Sequence, residues 1–123
     1  MSDQDQANEL EDRLIDFGAR IINLAMKMPD IPAGQHIANQ ILRSGTSPAP
    51  NYAEARSGES KRDFVHKLGI VLKELNETKV WLKMTARSKL LPATRLVEIK
   101  DECEQLCKVI ASSRRTSRNN LKR

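Results

Sequence analysis

Six apolar residues near the start of the chain, Leu10, Leu14, Phe17, Ile21, Leu24 and Met28, recur at alternating spacings of four and three. Residues so spaced share one side of an α-helix, whereas in a strand they would scatter over both faces. The beat returns in Phe64, Leu68, Val71, Leu75, Thr78 and Leu82, and again in Leu96, Ile99, Cys103, Leu106 and Ile110. Between them, Ile37, Ile41 and Leu42 give a fourth, shorter apolar face. Faces of this kind are buried by packing on one another, so the expected fold is an all-α, antiparallel up-down-up-down four-helix bundle. With five Gly, five Pro and 3% aromatic residues in 123, the composition favours helix over strand.

The prolines set the punctuation. Pro29 and Pro32 lack an N–H and restrict the residues before them, which ends a first predicted helix from Asn8 to Met28 and starts a second near Ala33. Gly45, Thr46, Ser47, Pro48 and Pro50 break the second pattern, predicting a kink near Ser47 to Pro50 with Ser47 as N-cap and Pro48 at the first helical position. Ser60 with Asp63 three residues on resembles a capping box and opens a third helix reaching about Arg87, ~42 Å at the helical rise. A fourth helix follows Leu90-Leu91-Pro92. The expected organisation is a disordered acidic N-terminus over residues 1–7, a bundle domain over 8–112 and a basic, frayed C-terminal tail over 113–123.

Formal net charge is +5. Residues 1–12 hold five acids and no base, residues 113–123 five bases and no acid, so the two ends cancel and the excess belongs to the body. From Thr78 to Val97 the bases Lys79, Lys83, Arg87, Lys89 and Arg95 occur without an acid. Lys79, Lys83 and Arg87 fall at i, i+4 and i+8, one helical stripe. This stripe and the tail bases Arg114, Arg115 and Arg118 are the candidate nucleic-acid contacts, since clustered cations bind phosphate through counterion release and carry no base specificity of their own. In the expected topology the tail lies at the end shared with the acidic N-terminus, which would partly neutralise it.

Chemistry-bearing constellations are sparse. A di-metal site in a bundle needs two Glu-x-x-His pairs and two further carboxylates; this chain has only Asp63-x-x-His66, and His36 has no acid three residues before it. Cys103 and Cys107 lie four apart on one helix, a spacing poor for a disulfide and short of a metal set. No serine is placed to pair with His66. The expectation is a non-enzymatic protein with no cofactor. Arg43, Asn51, Glu54, Glu74 and Glu77 read as a structural polar network across the second and third helices, where burial demands mutual hydrogen bonds. Trp81 reads as an interface residue. The acidic start lacks the apolar core of a signal peptide and no run approaches ~18 apolar residues, so a cytoplasmic protein without membrane contact is expected.

The segment Gln40 to Leu82 resembles the four-helix bundle family of 23S rRNA intervening-sequence proteins, also labelled S23 ribosomal protein. The resemblance is carried by QILRSGTSPAPNYAEA (Gln40 to Ala55), Ser60 with Asp63-Phe64, Lys67-Leu68, Lys73-Glu74, Glu77-Thr78 and Trp81-Leu82. A weaker similarity through Arg13, Phe17, Leu24 and Pro29 extends it to about residue 112. The resemblance implies a small cytoplasmic bundle that assembles as a homopentameric ring and brings no catalytic residues. A related branch, the accessory protein of diversity-generating retroelements, binds nucleic acid and a reverse transcriptase, which implies RNA or DNA and a protein as partner classes. The two prolines flanking Ala49 depart from the common family pattern. The expected function is therefore an oligomeric binding or scaffold protein contacting nucleic acid through basic surfaces; the alternative is a protein-binding adaptor ring without nucleic-acid activity.

Overall fold

The computed structural model describes residues 2–122. Its helices are α1 (Asp3–Met26), α2 (Pro32–Thr46), α3 (Pro48–Arg56), α4 (Lys61–Arg87) and α5 (Val97–Leu121), with a short 3-10 turn at Ala93–Arg95 before the last. Helices account for 85% of the structure, and no strand occurs among the described residues. α2 and α3 act as one arm bent by 17° at residue 47, so the molecule is a four-helix bundle with a kinked second helix. α1 packs on the α2/α3 arm, that arm on α4, and α4 on α5, while α1 and α4 stand diagonally across the bundle.

The bend follows from the missing N–H groups of Pro48 and Pro50, which remove two helical hydrogen bonds. Ser47 does not act as the expected N-cap. It keeps helical angles (φ −73°, ψ −37°), caps no backbone N–H, and accepts instead from Asn51 Nδ2 at its Oγ (2.8 Å) and its carbonyl oxygen (3.0 Å). With the residue before the proline still helical, the arm bends rather than restarts.

The helix ends also differ from the sequence expectation. α1 begins at Asp3 and not at Asn8, because Ser2 Oγ accepts from the Asp5 N–H (3.1 Å) while the Ser2 N–H donates to Asp5 Oδ2 (3.4 Å), a full capping box. The segment expected to be disordered is therefore helical from Asp3 onward. Likewise the segment expected to fray continues α5 to Leu121; neither Gly nor Pro follows Pro92 to stop it, and Arg114 fastens it to α4. Ser60 caps α4 through the Asp63 N–H (3.0 Å).

The core is the set of apolar beats read from the sequence: Leu14, Phe17, Ile21, Leu68, Val71, Leu75, Leu82, Leu96, Leu106 and Ile110 are fully enclosed, with Ile41 from α2. α1 and α2 approach closely at Gly45, where an added Cβ would lie 2.8 Å from the side chain of Ile21. Two buried hydroxyls tie α2 to α4: Thr78 Oγ1 lies 2.8 Å from both Ser44 Oγ and the Glu74 carbonyl oxygen. Thr78 has a single hydroxyl proton, so it donates to the carbonyl and accepts from Ser44. Among the described residues, no helix is long and apolar enough to cross a membrane.

Candidate nucleic-acid interface

The bases singled out in the sequence divide over three places. Leu72, Asn76, Lys79 and Lys83 repeat at 4-3-4 along α4 and form the edge that borders α5. Asn76 accepts from Cys107 Sγ (3.6 Å), and Lys79 bears electrostatically on both Cys103 and Cys107. Farther along, Leu72 and Ala111 floor a cleft of about 370 Å³, walled by Arg114, Arg115, Arg118 and Lys122 with Asn119. No acid lines that cleft. None of the four cations forms an ion pair among the described residues.

On the α5 side, Lys100, Glu104, Cys107, Ala111, Arg115, Arg118 and Lys122 follow spacings of four and three, the same seam seen from the other helix. Lys100 to Lys122 covers ~33 Å at the helical rise. The stripe on α4 and the C-terminal bases are thus two ends of one basic face, interrupted by Glu104. The helical continuation of α5 creates this alignment. Lys100 and Lys122 were not among the sequence candidates; reading α5 as unbroken past Ser112 would have found them.

Arg114 is held in place. Its Nε donates to the Val65 carbonyl oxygen (3.4 Å), and its guanidinium crosses α4 at Gly69, where an added Cβ would come within 3.0 Å of Nη2. The expected neutralisation of the tail by the N-terminal acids is not seen as ion pairs: Glu11 is engaged by Arg56 (3.1 Å), and among the described residues no acid of residues 3–12 pairs with a tail base. The tail cations open toward α4, on the side away from α1.

Lys89 and Arg95 leave this face, while Arg87 extends the α4 stripe by one turn. Arg87 is exposed in the last turn of α4, and Lys89 takes a left-handed conformation (φ 61°) just beyond it. Arg95, in the 3-10 turn, faces α1 with Arg20, Asn23 and Lys27 around a separate cavity. Neither Arg20 nor Lys27 stood out in the sequence, since their grouping with Arg95 depends on how α1 meets the connection before α5.

The polar network also separates into parts. Arg43 binds Glu74 Oε2 (3.1 Å) and Glu77 Oε2, and Glu77 Oε2 accepts from Trp81 Nε1 (3.1 Å). Trp81 also meets His36 edge to face, with ring centroids 6.0 Å apart. Asn51 serves the bend at Ser47, and Glu54 pairs with Lys67 Nζ (2.9 Å). Arg43, Glu74 and Glu77 form one cluster; Asn51 and Glu54 stand outside it because they lie beyond the bend, one and two turns farther along the arm.

The two cysteines are buried thiols with opposite tendencies. The Cys103 thiol is pushed up by the neighbouring Cys107 and by burial, while Cys107 is drawn down by that same neighbour and by Lys79. Among the described residues, no three His, Cys, Asp or Glu side chains converge as a metal-ligand set.

Large apolar residues remain exposed on α1 and α4, and on α5 at Val97 (62%), Val109 and Leu121. On α1, Ile15 (50% exposed), Ala19, Ile22 and Met26 (72%) repeat at 4-3-4 on the side away from the core; on α4, Val80 and Met84 do the same one turn apart.

Residues 6–112 match the sequence profile of the 23S rRNA-intervening sequence protein family. Among solved structures, a protein of unknown function from the S23 ribosomal protein family of Bacteroides thetaiotaomicron is similar, with 33% identity and a TM-score of 0.83 over 89% of this chain and 97% of that one. No curated protein matches this chain.

Proposed function

The chain belongs to the 23S rRNA-intervening sequence protein family, and from that premise we propose that it is a non-enzymatic, homo-oligomeric binding protein that grips the phosphate backbone of RNA or DNA. The observation that carries this reading is the basic α4/α5 face: Lys79, Lys83, Lys100, Arg115, Arg118 and Lys122 share one seam about 33 Å long, with Glu104 its one acid. Arginines outside ion pairs are suited to bidentate phosphate contacts, and lysines add point charge. The partner is therefore a polyanion bound without base readout.

Assembly follows from the exposed apolar stripes. An α1 stripe and an α4 patch on opposite sides of one protomer suit a heterologous contact, in which the α1 face of one copy meets the α4 face of the next. A closed ring results if the rotation closes, and a pentamer is the form the resemblance implies. The ring would multiply the basic face and raise avidity from weak protomer contacts. A protein-binding adaptor ring is the second reading, favoured by the same α1 stripe.

Two measurements test these readings. Light scattering on the wild type and on Ile22→Asp is expected to give an oligomer and a shift to monomer, respectively; a monomeric wild type would sink the ring. Mobility shift of RNA and DNA at low salt is expected to weaken at least tenfold in a Lys83→Glu, Arg115→Glu, Arg118→Glu variant. An oligomer that retards neither nucleic acid would leave the adaptor reading standing in place of the first.

A further inference from the structure

At the opposite end of the bundle from the chain termini, α1 and the connection into α5 line an open surface pocket of about 200 Å³. Arg20, Asn23 and Lys27 fall at i, i+3 and i+7 on α1 and so share the face that looks toward it. Arg95 closes the other side, its position set by the 3-10 turn through Arg95 N–H to the Pro92 carbonyl (3.0 Å) and Leu96 N–H to the Ala93 carbonyl (3.0 Å). The floor is apolar, made by Leu24, Leu91, Leu96 and Ile99. No acid lines the cavity, and neither arginine nor the lysine forms an ion pair among the described residues.

We propose that this pocket binds a phosphomonoester, the terminal phosphate of a nucleic-acid strand or of a free nucleotide. Three cations gathered about one small cavity differ from the extended α4/α5 face. An internal phosphodiester carries one negative charge, whereas a phosphomonoester carries about −1.5 to −2 near neutral pH with three acceptor oxygens. Two guanidiniums supply planar paired donors, Lys27 supplies charge, and the Asn23 amide supplies a directional donor. The apolar floor gives the attached nucleoside a surface to lie against, the arrangement of a small-ligand site with few polar groups on an apolar base. The strand-end source rests on the nucleic-acid reading above; the free-nucleotide source does not.

The test uses the full chain and two kinds of probe. Adenosine 5′-monophosphate and adenosine are titrated while the amide resonances of Asn23 and Leu96 are followed. A labelled RNA 10-mer carrying a 5′-phosphate, a 3′-phosphate or neither is titrated by fluorescence anisotropy. The pocket predicts saturable shifts with the monophosphate and none with adenosine, or an affinity at least fivefold tighter for a phosphorylated 10-mer. That preference should disappear in Arg20→Gln and Arg95→Gln, whose exposed positions leave the fold unchanged. A preference confined to the 10-mer assigns the strand end, and one confined to the monophosphate assigns the free nucleotide. Equal behaviour of phosphorylated and unphosphorylated probes in both arms overturns the proposal even when the RNA binds, and so does a preference that survives both substitutions. Shifts with the monophosphate in the absence of any RNA binding would retain the pocket and remove the nucleic-acid reading.

Discussion

Single residues carry the helix pairing that builds this surface. Thr78 and Ser44 are buried, and Thr78 accepts the Ser44 proton between α2 and α4, so removing the Thr78 hydroxyl alone should cost more than removing both. Thr78→Val is expected to lower stability by about 1–3 kcal/mol, with part of the loss recovered in the double variant carrying Ser44→Ala; denaturant titration of the three proteins checks the order. Burial of Tyr52 pushes its phenol above the ordinary value near 10.0. The fold then holds a proton that the unfolded chain releases, so this contribution is intact below pH 10 and is lost as pH rises through the folded value. Melts from pH 8 to 11 should fall less steeply above pH 10 in Tyr52→Phe than in the wild type. The cysteines give a third check: alkylation should reach Cys107, drawn down by Cys103 and Lys79, before Cys103, an order that peptide mass mapping reads directly.

At the level of elements, α5 joins a core-building half to a charge-bearing half. Ile110 is its last fully buried residue, and the turns beyond hold the tail bases. Deleting residues 114–123 should therefore leave a folded bundle, with a melting temperature within a few degrees of the full chain and RNA affinity reduced at least tenfold; circular dichroism and anisotropy separate the two effects. The apolar beats made the bundle legible in the sequence, and the prolines located the bend, because periodicity and missing N–H groups act locally. Ser47 was misread because its hydroxyl is claimed by Asn51 within the arm, a choice that N-cap preference does not contain. The basic stripe and the tail looked like separate features since hydropathy ends at Ser112, although helical geometry continues. Arg20 and Lys27 were invisible for a different reason: only packing brings them to Arg95.

For the whole molecule, the densest run of bases and the longest exposed apolar stripe lie on different helix faces. The seam between α4 and α5 is basic, while outward faces of α1 and α4 expose the apolar residues proposed to join copies. Such a division lets one surface build the assembly while another stays open to a polyanion. Backbone phosphate binding by the basic seam shows most directly in the dependence of RNA affinity on salt. With about four phosphates neutralised, log affinity should fall against log salt with a slope near −3 to −4, shallower in the variant carrying Lys83→Glu, Arg115→Glu and Arg118→Glu. Absence of RNA and DNA binding at low salt, or a slope near zero unchanged by that variant, would contradict it.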